Sequence, residues 1–183
     1  MESQKEKYCI AFSGGGTGGH IYPGLAIISF IQKQIPCRVF WIGSSNIDRK
    51  IVEEAGLDFY NIPSGKLRRN FSFKNFIDIF KVIAGFFVSR KILKKERPVL
   101  LFSKGGFVSV PPVLAAASLK IPVFSHESDL SPGLATKINL RFTKRLFVPY
   151  RESLDFYSRR FRDKLDVSGN PVRLEFQNAD SLK

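Results

Sequence analysis

Residues 8–30 read YCIAFSGGGTGGHIYPGLAIISF, and this stretch decides the fold. Residues 8–13 form a short apolar run of the kind that occupies a buried strand, and an apolar segment of helical length begins near residue 22. Five glycines lie between them, at 14–16, 18 and 19. A buried strand followed by a glycine-rich turn and a helix predicts the first unit of an α/β sheet.

The rest of the chain continues this alternation of short strands with helical segments. Strands are predicted at 8–13, 38–43, 58–62, 99–103, 122–125, 145–148 and 164–167. Helices are predicted at 22–34, 48–55, 72–96, 110–119, 130–140 and 151–161. Short connections with right-handed crossovers predict a doubly wound parallel sheet, which is a Rossmann-like α/β fold.

In a doubly wound sheet, ligands bind beyond the carboxyl ends of the strands. The segments after the first, fourth, fifth and last predicted strands carry unusual clusters of glycine or polar residues: 14–20, 104–107, 126–129 and 169–173. These segments are all predicted to lie on one edge of the sheet. We therefore predict the functional site at this edge.

The glycine-rich segment has several interpretations. Gly14, Gly16 and Gly19 match the GxGxxG spacing of dinucleotide-binding loops, but the second strand ends in Ser44 and lacks the acidic residue that binds the ribose. A Walker A loop is excluded because His20 stands where that motif has lysine. Two interpretations are favoured over a dinucleotide site. The backbone N–H groups bind an anion at the start of a helix, or the glycines serve only to turn and pack the chain.

His20 directly follows the glycine-rich segment, at the start of a predicted helix. The positive end of a helix favours the neutral imidazole, which can accept a proton. We predict a functional role for His20 at the ligand-facing edge, with a purely structural histidine as the alternative.

The composition of the 183 residues limits the class of protein. An apolar content of 44% is enough for a sizeable core, and the length fits one domain. Cys9 and Cys37 are too few for a disulfide framework, and with two His they match no recognised zinc spacing. We expect no metal site and no cofactor. The first residues lack the apolar region of a signal peptide, which predicts a cytoplasmic protein.

The chain is strongly basic, with 29 Lys and Arg against 16 Asp and Glu and a formal charge of +13. Such a charge suits nucleic acid, anionic lipid headgroups or a phosphorylated ligand. Because no recognisable nucleic-acid-binding motif accompanies it, we expect no nucleic-acid partner.

The predicted helix at 72–96 is apolar around more than half of its circumference, which exceeds what packing against a sheet requires. Surplus aromatic residues flanked by Lys and Arg are typical of a helix that lies on an anionic membrane surface. A helix buried on both sides is the alternative. The predicted membrane-contacting residues are Phe76, Phe80, Phe86, Phe87, Lys91 and Lys94.

Four motifs occur in order along the chain: GGGTGGHIYPGLAI at 14–27, KGGFVSVPPVLAA at 104–116, HESDLSPGLATK at 126–137 and GNPVR at 169–173. Together they resemble the MurG family of peptidoglycan N-acetylglucosaminyltransferases, whose members are two-domain GT-B enzymes. The resemblance implies that residues 1–173 form the N-terminal, acceptor-binding domain and that residues 174–183 begin the interdomain linker. The C-terminal donor domain has no counterpart in this chain.

The resemblance also implies an activity. It is the inverting, metal-independent transfer of N-acetylglucosamine from UDP-N-acetylglucosamine to undecaprenyl-pyrophosphoryl-N-acetylmuramyl-pentapeptide (lipid I), which gives lipid II. The implied location is the cytoplasmic face of the inner membrane, on its anionic surface. Matching motif positions give the implied substrate-binding residues Thr17, Gly18, Gly19, Gly105, Gly106, His126, Asp129 and Arg173.

Such a transfer requires a group that accepts the proton of the attacking hydroxyl, either a neutral His or a carboxylate. The candidates are His20, Glu127 and Asp129, and one or two of them are expected only to orient loops. The family usually reads HEQN where this chain reads HESD at 126–129. Asp129 therefore replaces an Asn, keeping an acceptor oxygen and losing the amide donor.

A second class of protein also fits an N-terminal half. It is a non-catalytic, acceptor-binding and membrane-associating subunit of a split glycosyltransferase, which would work with a separate donor-domain chain. In either case we expect little transferase activity from the 183 residues alone.

Overall fold

The computed structural model describes residues 8–16, 18–65 and 74–172, except for the side chains of residues 74–77. Within these residues, seven parallel strands form one sheet in the order β3-β2-β1-β4-β5-β6-β7. The strands are β1 (Tyr8–Ser13), β2 (Cys37–Gly43), β3 (Asp58–Asn61), β4 (Leu100–Ser103), β5 (Val123–His126), β6 (Arg145–Val148) and β7 (Leu165–Val167). The predicted doubly wound parallel sheet is confirmed.

Helices connect these strands. The α-helices are α1 (Gly18–Gln34), α2 (Asn46–Glu54), α3 (Lys74–Glu96), α4 (Val110–Ser118) and α5 (Leu134–Asn139). Three short 3-10 helices lie at Phe107–Ser109, Arg151–Phe156 and Arg159–Lys164.

Alternate residues of β1 pack into separate cores on the two faces of the sheet. Phe12 belongs to a buried cluster with Ile21 of α1, whereas Ala11 belongs to another cluster with Leu93 of α3. Strand β1 pairs with β2 on one side and with β4 on the other, so the strand order reverses between β1 and β4. The chain leaving these two strands turns toward opposite faces and opens a crevice at their carboxyl ends.

The first helix begins earlier than predicted, at Gly18 rather than at residue 22. Gly18 and Gly19 therefore belong to the first turn of α1, and so does His20. A side chain at Gly18 would lie 3.3 Å from the ring of Tyr22, so this turn fits closely around that ring. The low helix propensity of glycine explains why the sequence does not predict this first turn.

The helix predicted at 130–140 is shorter in the structure and begins only at Leu134. Pro132 disfavours a helical backbone in the residue before it, and Gly133 adopts an extended conformation as the N-cap of α5. Residues 130–133 instead form a loop that closes over Glu127, to which the Gly133 N–H donates.

The single helix predicted at 151–161 is wrong. Two 3-10 helices replace it, and Tyr157 between them has extended backbone angles of φ −112° and ψ 142°. Tyr157 is buried in a third core cluster with Leu140 and Val148. The extended backbone of Tyr157 separates the two 3-10 helices, and burial of its side chain stabilises this conformation.

Candidate functional site

The carboxyl ends of β1 and β4 meet at the crevice, and the two segments that follow them touch. The N–H of Lys104 donates to the carbonyl of Ser13 at 2.7 Å. A Cβ added at Gly14 would lie 2.9 Å from the Cβ of Lys104, and one added at Gly106 would lie 2.6 Å from the carbonyl oxygen of Gly15. Glycine is required here because two backbones approach closely.

Two buried side chains of other elements hold the glycine-rich segment. Trp41 of β2 donates from its indole Nε1 to the carbonyl of Gly14 at 3.0 Å. The N–H of Gly16 donates to the carboxylate of Asp48 at 3.2 Å, and Gly16 has a positive φ of 88°. The same carboxylate occupies the space that a Cβ at Gly15 would need. The segment is therefore fixed in position before any ligand arrives.

His20 lies beside the second glycine pair. A Cβ at Gly106 would be 3.3 Å from His20 Cδ2, and one at Gly105 would be 3.9 Å from His20 Nδ1. Both glycines have positive φ, 81° and 75°, which favours glycine at each position. His20 Nδ1 is buried and has no hydrogen-bond partner among the described residues. The structure thus brings together three predicted site residues around a ring nitrogen whose hydrogen-bonding capacity is unused.

His126 is the last residue of β5 rather than a loop residue, and its two ring nitrogens are engaged. Lys104 Nζ lies 2.6 Å from Nδ1, and Nε2 lies 2.9 Å from the carbonyl of Gly169. Burial and the nearby charge of Lys104 lower the pKa of His126 to about 4. His126 is therefore neutral near pH 7.

Lys104 is fully buried, with 0% of its surface exposed. Burial lowers its pKa to about 7, against the opposing charges of Glu127 and Asp129. Besides His126, its ammonium donates to Ser128 Oγ at 3.1 Å.

The carboxylate of Glu127 is buried and holds its own loop together. Its Oε1 accepts from the N–H groups of Ser128 at 2.9 Å and Asp129 at 3.2 Å. Its Oε2 accepts from the N–H of Gly133 at 3.4 Å and from the hydroxyl of Thr136 at 2.6 Å. With both oxygens occupied, Glu127 orients the loop between β5 and α5. The side chain of Asp129, in contrast, is exposed.

Other predicted site residues have simpler placements. Gly18 and Gly19 lie in the first turn of α1. Thr17, Arg173 and the predicted linker at 174–183 lie outside the described residues. No three His, Cys, Asp or Glu side chains within the described ranges are grouped so as to hold a metal ion.

Lys104 and Asp48 contact the site in the structure but are not among the site residues predicted from the sequence. A lysine directly after a buried apolar strand, at the head of a glycine pair, was the available signal for Lys104. Asp48 is the first acidic residue after β2, and Ser45 caps its helix by accepting from the Asp48 N–H at 2.9 Å. Only the tertiary structure shows that both side chains turn inward.

The predicted membrane-contacting residues of α3 differ in their exposure. Phe80 and Phe87 are 69% and 64% exposed, and Lys91 and Lys94 are also exposed. Phe86 is half-buried and packs against the core on the α3 face of the sheet. The side chain of Phe76 lies outside the described residues. Among the helices that the structure describes, none has the length and apolar character needed to cross a membrane.

Comparisons with known proteins agree with this fold. The glycosyltransferase family 28 N-terminal domain matches residues 10–148. A Treponema denticola protein named UDP-N-acetylglucosamine–N-acetylmuramyl-(pentapeptide) pyrophosphoryl-undecaprenol N-acetylglucosamine transferase is 55% identical over 177 residues, which are 92% of this chain and 45% of that protein. A protein of the same name from Borreliella burgdorferi is 46% identical over 95% of this chain and 48% of its own length.

The fold is also shared with a solved structure. The crystal structure of Acinetobacter baumannii MurG matches with a TM-score of 0.74 and 23% identity, over 94% of this chain and 47% of that one. The chain spans about half the length of the curated relatives that it matches. From the domain match over residues 10–148, the chain belongs to glycosyltransferase family 28, of which it carries the N-terminal domain.

Proposed function

We propose that this chain supplies the acceptor-binding half of an enzyme that transfers N-acetylglucosamine from UDP-N-acetylglucosamine to lipid I. The observation that carries the proposal is the 55% identity, over 92% of the chain, to a relative named for this reaction. The site at the carboxyl edge supports it, since two glycine segments and an imidazole converge where α/β sheets bind ligands. In this proposal residues 1–173 form the acceptor-binding domain and residues 174–183 begin the linker.

The glycine segments suit a substrate that carries a pyrophosphate. The first turn of α1 closely follows the carboxyl end of β1, and the N–H groups and dipole at the start of a helix favour an anion there. We assign Thr17, Gly18, Gly19, Gly105 and Gly106 to this contact. Preorganised N–H groups stabilise negative charge without having to reorient during the reaction.

His20 is the best candidate for the group that takes the proton of the attacking hydroxyl. Its ring is partly exposed and lies beside Gly105 and Gly106, whereas the carboxylate of Glu127 is buried and already accepts four hydrogen bonds. Asp129 is exposed, which leaves it free for a polar contact with substrate. We assign Glu127 and His126 to holding the loops, and Arg173 to the donor side.

We further propose that α3 places the protein on the anionic cytoplasmic face of the inner membrane. Its outer face carries Ile79, Phe80, Ile83 and Phe87, all exposed and spaced three or four residues apart or adjacent. Lys91 and Lys94 extend from the same helix toward its end. Apolar contact together with Lys beside anionic headgroups is the physical basis of interfacial binding. The lipid-linked acceptor would be met on the same surface.

The second candidate is a non-catalytic, acceptor-binding subunit of a split glycosyltransferase, which would use the same carboxyl-edge site. One experiment tests both. The chain is fused to the C-terminal half of the Treponema denticola relative, and the same half is also added as a separate protein. Turnover of UDP-N-acetylglucosamine and a soluble lipid I analogue is then measured.

Turnover by the fusion, with none by either half alone, is the expected result. Equal turnover when the halves are mixed favours the split subunit. A folded fusion that neither binds the acceptor analogue nor turns over contradicts the proposed function.

A further inference from the structure

Lys104 presents a feature that the proposed reaction does not use, a buried cation with two neutral acceptors. It forms no ion pair with a carboxylate among the described residues. Its ammonium donates to His126 Nδ1 at 2.6 Å and to Ser128 Oγ at 3.1 Å. Its stem is wedged against Gly14 and Gly24, since a Cβ at Gly24 would lie 3.2 Å from Lys104 Cγ. The close packing of this aliphatic stem restricts the position of the ammonium.

Two contacts of His126 agree on which ring nitrogen carries the proton. The Lys104 ammonium can only donate, so it requires a bare Nδ1, and the Gly169 carbonyl can only accept, so it requires a proton on Nε2. The Nε2–H then donates to the carbonyl of Gly169 at 2.9 Å. Both ring nitrogens are satisfied in this tautomer, and in the other tautomer neither a hydrogen bond from charged Lys104 nor one to the Gly169 carbonyl can form.

A second connection runs parallel to the first. The side chain of Asn170 donates to the carbonyl of Ser128 at 3.2 Å, and Ser128 itself accepts from Lys104. Lys104 therefore contacts both His126, which is hydrogen-bonded to Gly169, and Ser128, which is hydrogen-bonded to Asn170. The segments after β4, β5 and β7 are joined at one ammonium.

We propose that Lys104 is a positioning residue, which fixes His126 as the Nε2–H tautomer and thereby fastens residues 169–170 to the end of β5. The fastening itself is a property of this chain. Its consequence rests on the proposed function, because residues 169–170 lead to Arg173, which is assigned to the donor side. Loss of Lys104 would release the segment without removing any group that contacts substrate.

The low pKa of His126 supports this arrangement. With a value of about 4, the imidazole stays neutral from about pH 5.5 upward. The groups that face Lys104 are His126, Glu127 and Asp129, and a neutral lysine amine can still donate to Nδ1. The tautomer is therefore expected to persist above pH 7, the region in which Lys104 loses its proton.

The wild-type chain tests the proposal directly because it contains only two histidines. Nitrogen-15 NMR of the imidazole rings distinguishes the tautomers by the shifts of Nδ1 and Nε2. We expect His126 to show a bare Nδ1 and a protonated Nε2 at every pH between about 5.5 and 8. A protonated Nδ1, or a His126 that is charged at pH 6, would overturn the proposal whatever the function of the chain.

Lys104→Met tests the causal step, with Lys137→Met as the matched control because Lys137 is an exposed lysine of neighbouring α5. In Lys104→Met we expect a mixture of tautomers, an upward shift of the His126 titration midpoint and displaced amide signals of Gly169 and Asn170. The control should reproduce the wild-type spectrum. A folded Lys104→Met variant with wild-type His126 signals would refute the role. If this variant does not fold, Ser128→Ala takes its place, because it removes one acceptor of the Lys104 ammonium. This variant should displace the Asn170 amide signal, and an unmoved signal would refute the role of Lys104. The tautomer of His126 in the wild-type chain is the second criterion.

Discussion

The two edges of the sheet both carry charged side chains, but they use them differently. At the amino edge, Arg38 bonds to Glu96 and to Asp58, and the hydroxyl of Tyr60 donates to Glu96 at 2.7 Å. At the carboxyl edge, His20 retains a ring nitrogen without a partner among the described residues, beside two glycine segments. The comparison teaches that charged side chains at an edge of the sheet can serve to pair with one another, so that charge alone does not mark a functional site.

The carboxyl edge itself contains both kinds of group. The carboxylate of Glu127 and both ring nitrogens of His126 are engaged by neighbouring loops, and Lys104 donates to two side chains, much as Arg38 and Glu96 are paired at the opposite edge. We therefore expect substitutions of these engaged groups to change stability and substitution of His20 to change turnover.

The largest expected effect is that of His20→Ala on turnover by the fused enzyme. Loss of a positioned proton acceptor should lower turnover by about 10²–10⁴-fold. The free energy of unfolding should change by less than about 1 kcal/mol, since no hydrogen bond to Nδ1 is lost among the described residues. Steady-state kinetics and urea unfolding of the same preparation measure both.

His20→Asn separates the two roles of the residue. Asn donates and accepts hydrogen bonds but cannot take the proton. Turnover near that of the Ala variant indicates a base, and substantial recovery indicates a ligand that orients the hydroxyl. Near-normal turnover of His20→Ala would remove His20 from the chemistry and return Asp129 to consideration.

Glu127→Gln should show the opposite profile. The amide keeps one acceptor and turns donors toward the N–H and hydroxyl groups of the loop, so charge-assisted hydrogen bonds are lost. The free energy of unfolding should fall by about 1.5–3 kcal/mol. The exposed Glu152→Gln is the control and should be neutral. A Glu127→Gln variant with wild-type stability would place Glu127 among the free groups of the edge.

On the outer face of α3, we expect exposed apolar and basic side chains, rather than groups with unused hydrogen-bonding capacity, to bind a partner. Replacing Lys91 or Lys94 with Gln should weaken binding to anionic vesicles by about 1 kcal/mol for each lysine. Phe87→Ser should weaken binding without unfolding the chain, whereas Phe86→Ser should lower the free energy of unfolding because Phe86 packs on the core. Sedimentation with anionic and neutral vesicles measures the binding. Equal binding to both vesicle types, unaffected by Phe87→Ser, would identify α3 as an ordinary packing helix.

The smallest expected effect belongs to the amino edge and depends on pH. Arg38, followed by Tyr60, lowers the pKa of Glu96 against the effect of burial. Glu96 therefore stabilises the folded chain above the pKa of the unfolded state, and this contribution is lost as pH falls through the lower folded-state value. Glu96→Gln should cost about 1 kcal/mol or less at pH 7, with no effect on turnover of the fused enzyme. By urea unfolding, a difference between Glu96→Gln and the wild type that does not shrink as pH falls below the unfolded-state pKa of Glu would contradict the assigned cause.

The sequence predicts the sheet well, and also the meeting of the glycine and polar segments at its carboxyl edge, because apolar strands and glycine turns are local signals. Two predictions depended on contacts that local patterns do not contain. The helix at 151–161 is interrupted because Tyr157 is buried against Leu140 and Val148. The polar residues at the edge are visible in the sequence, but whether a carboxylate such as Glu127 is free or saturated depends on the loop that closes around it.

Binding of the acceptor to the wild-type chain tests the division of the carboxyl edge most directly. A soluble pyrophosphoryl-N-acetylmuramyl-pentapeptide analogue is titrated into the chain while the imidazole signals of its two histidines are followed by nitrogen-15 NMR. We predict that the signals of His20 move with the bound fraction and that those of His126 keep their shifts and tautomer. Saturable binding that moves His126 and leaves His20 unchanged would contradict the assignment of His20 to the substrate and of His126 to the scaffold.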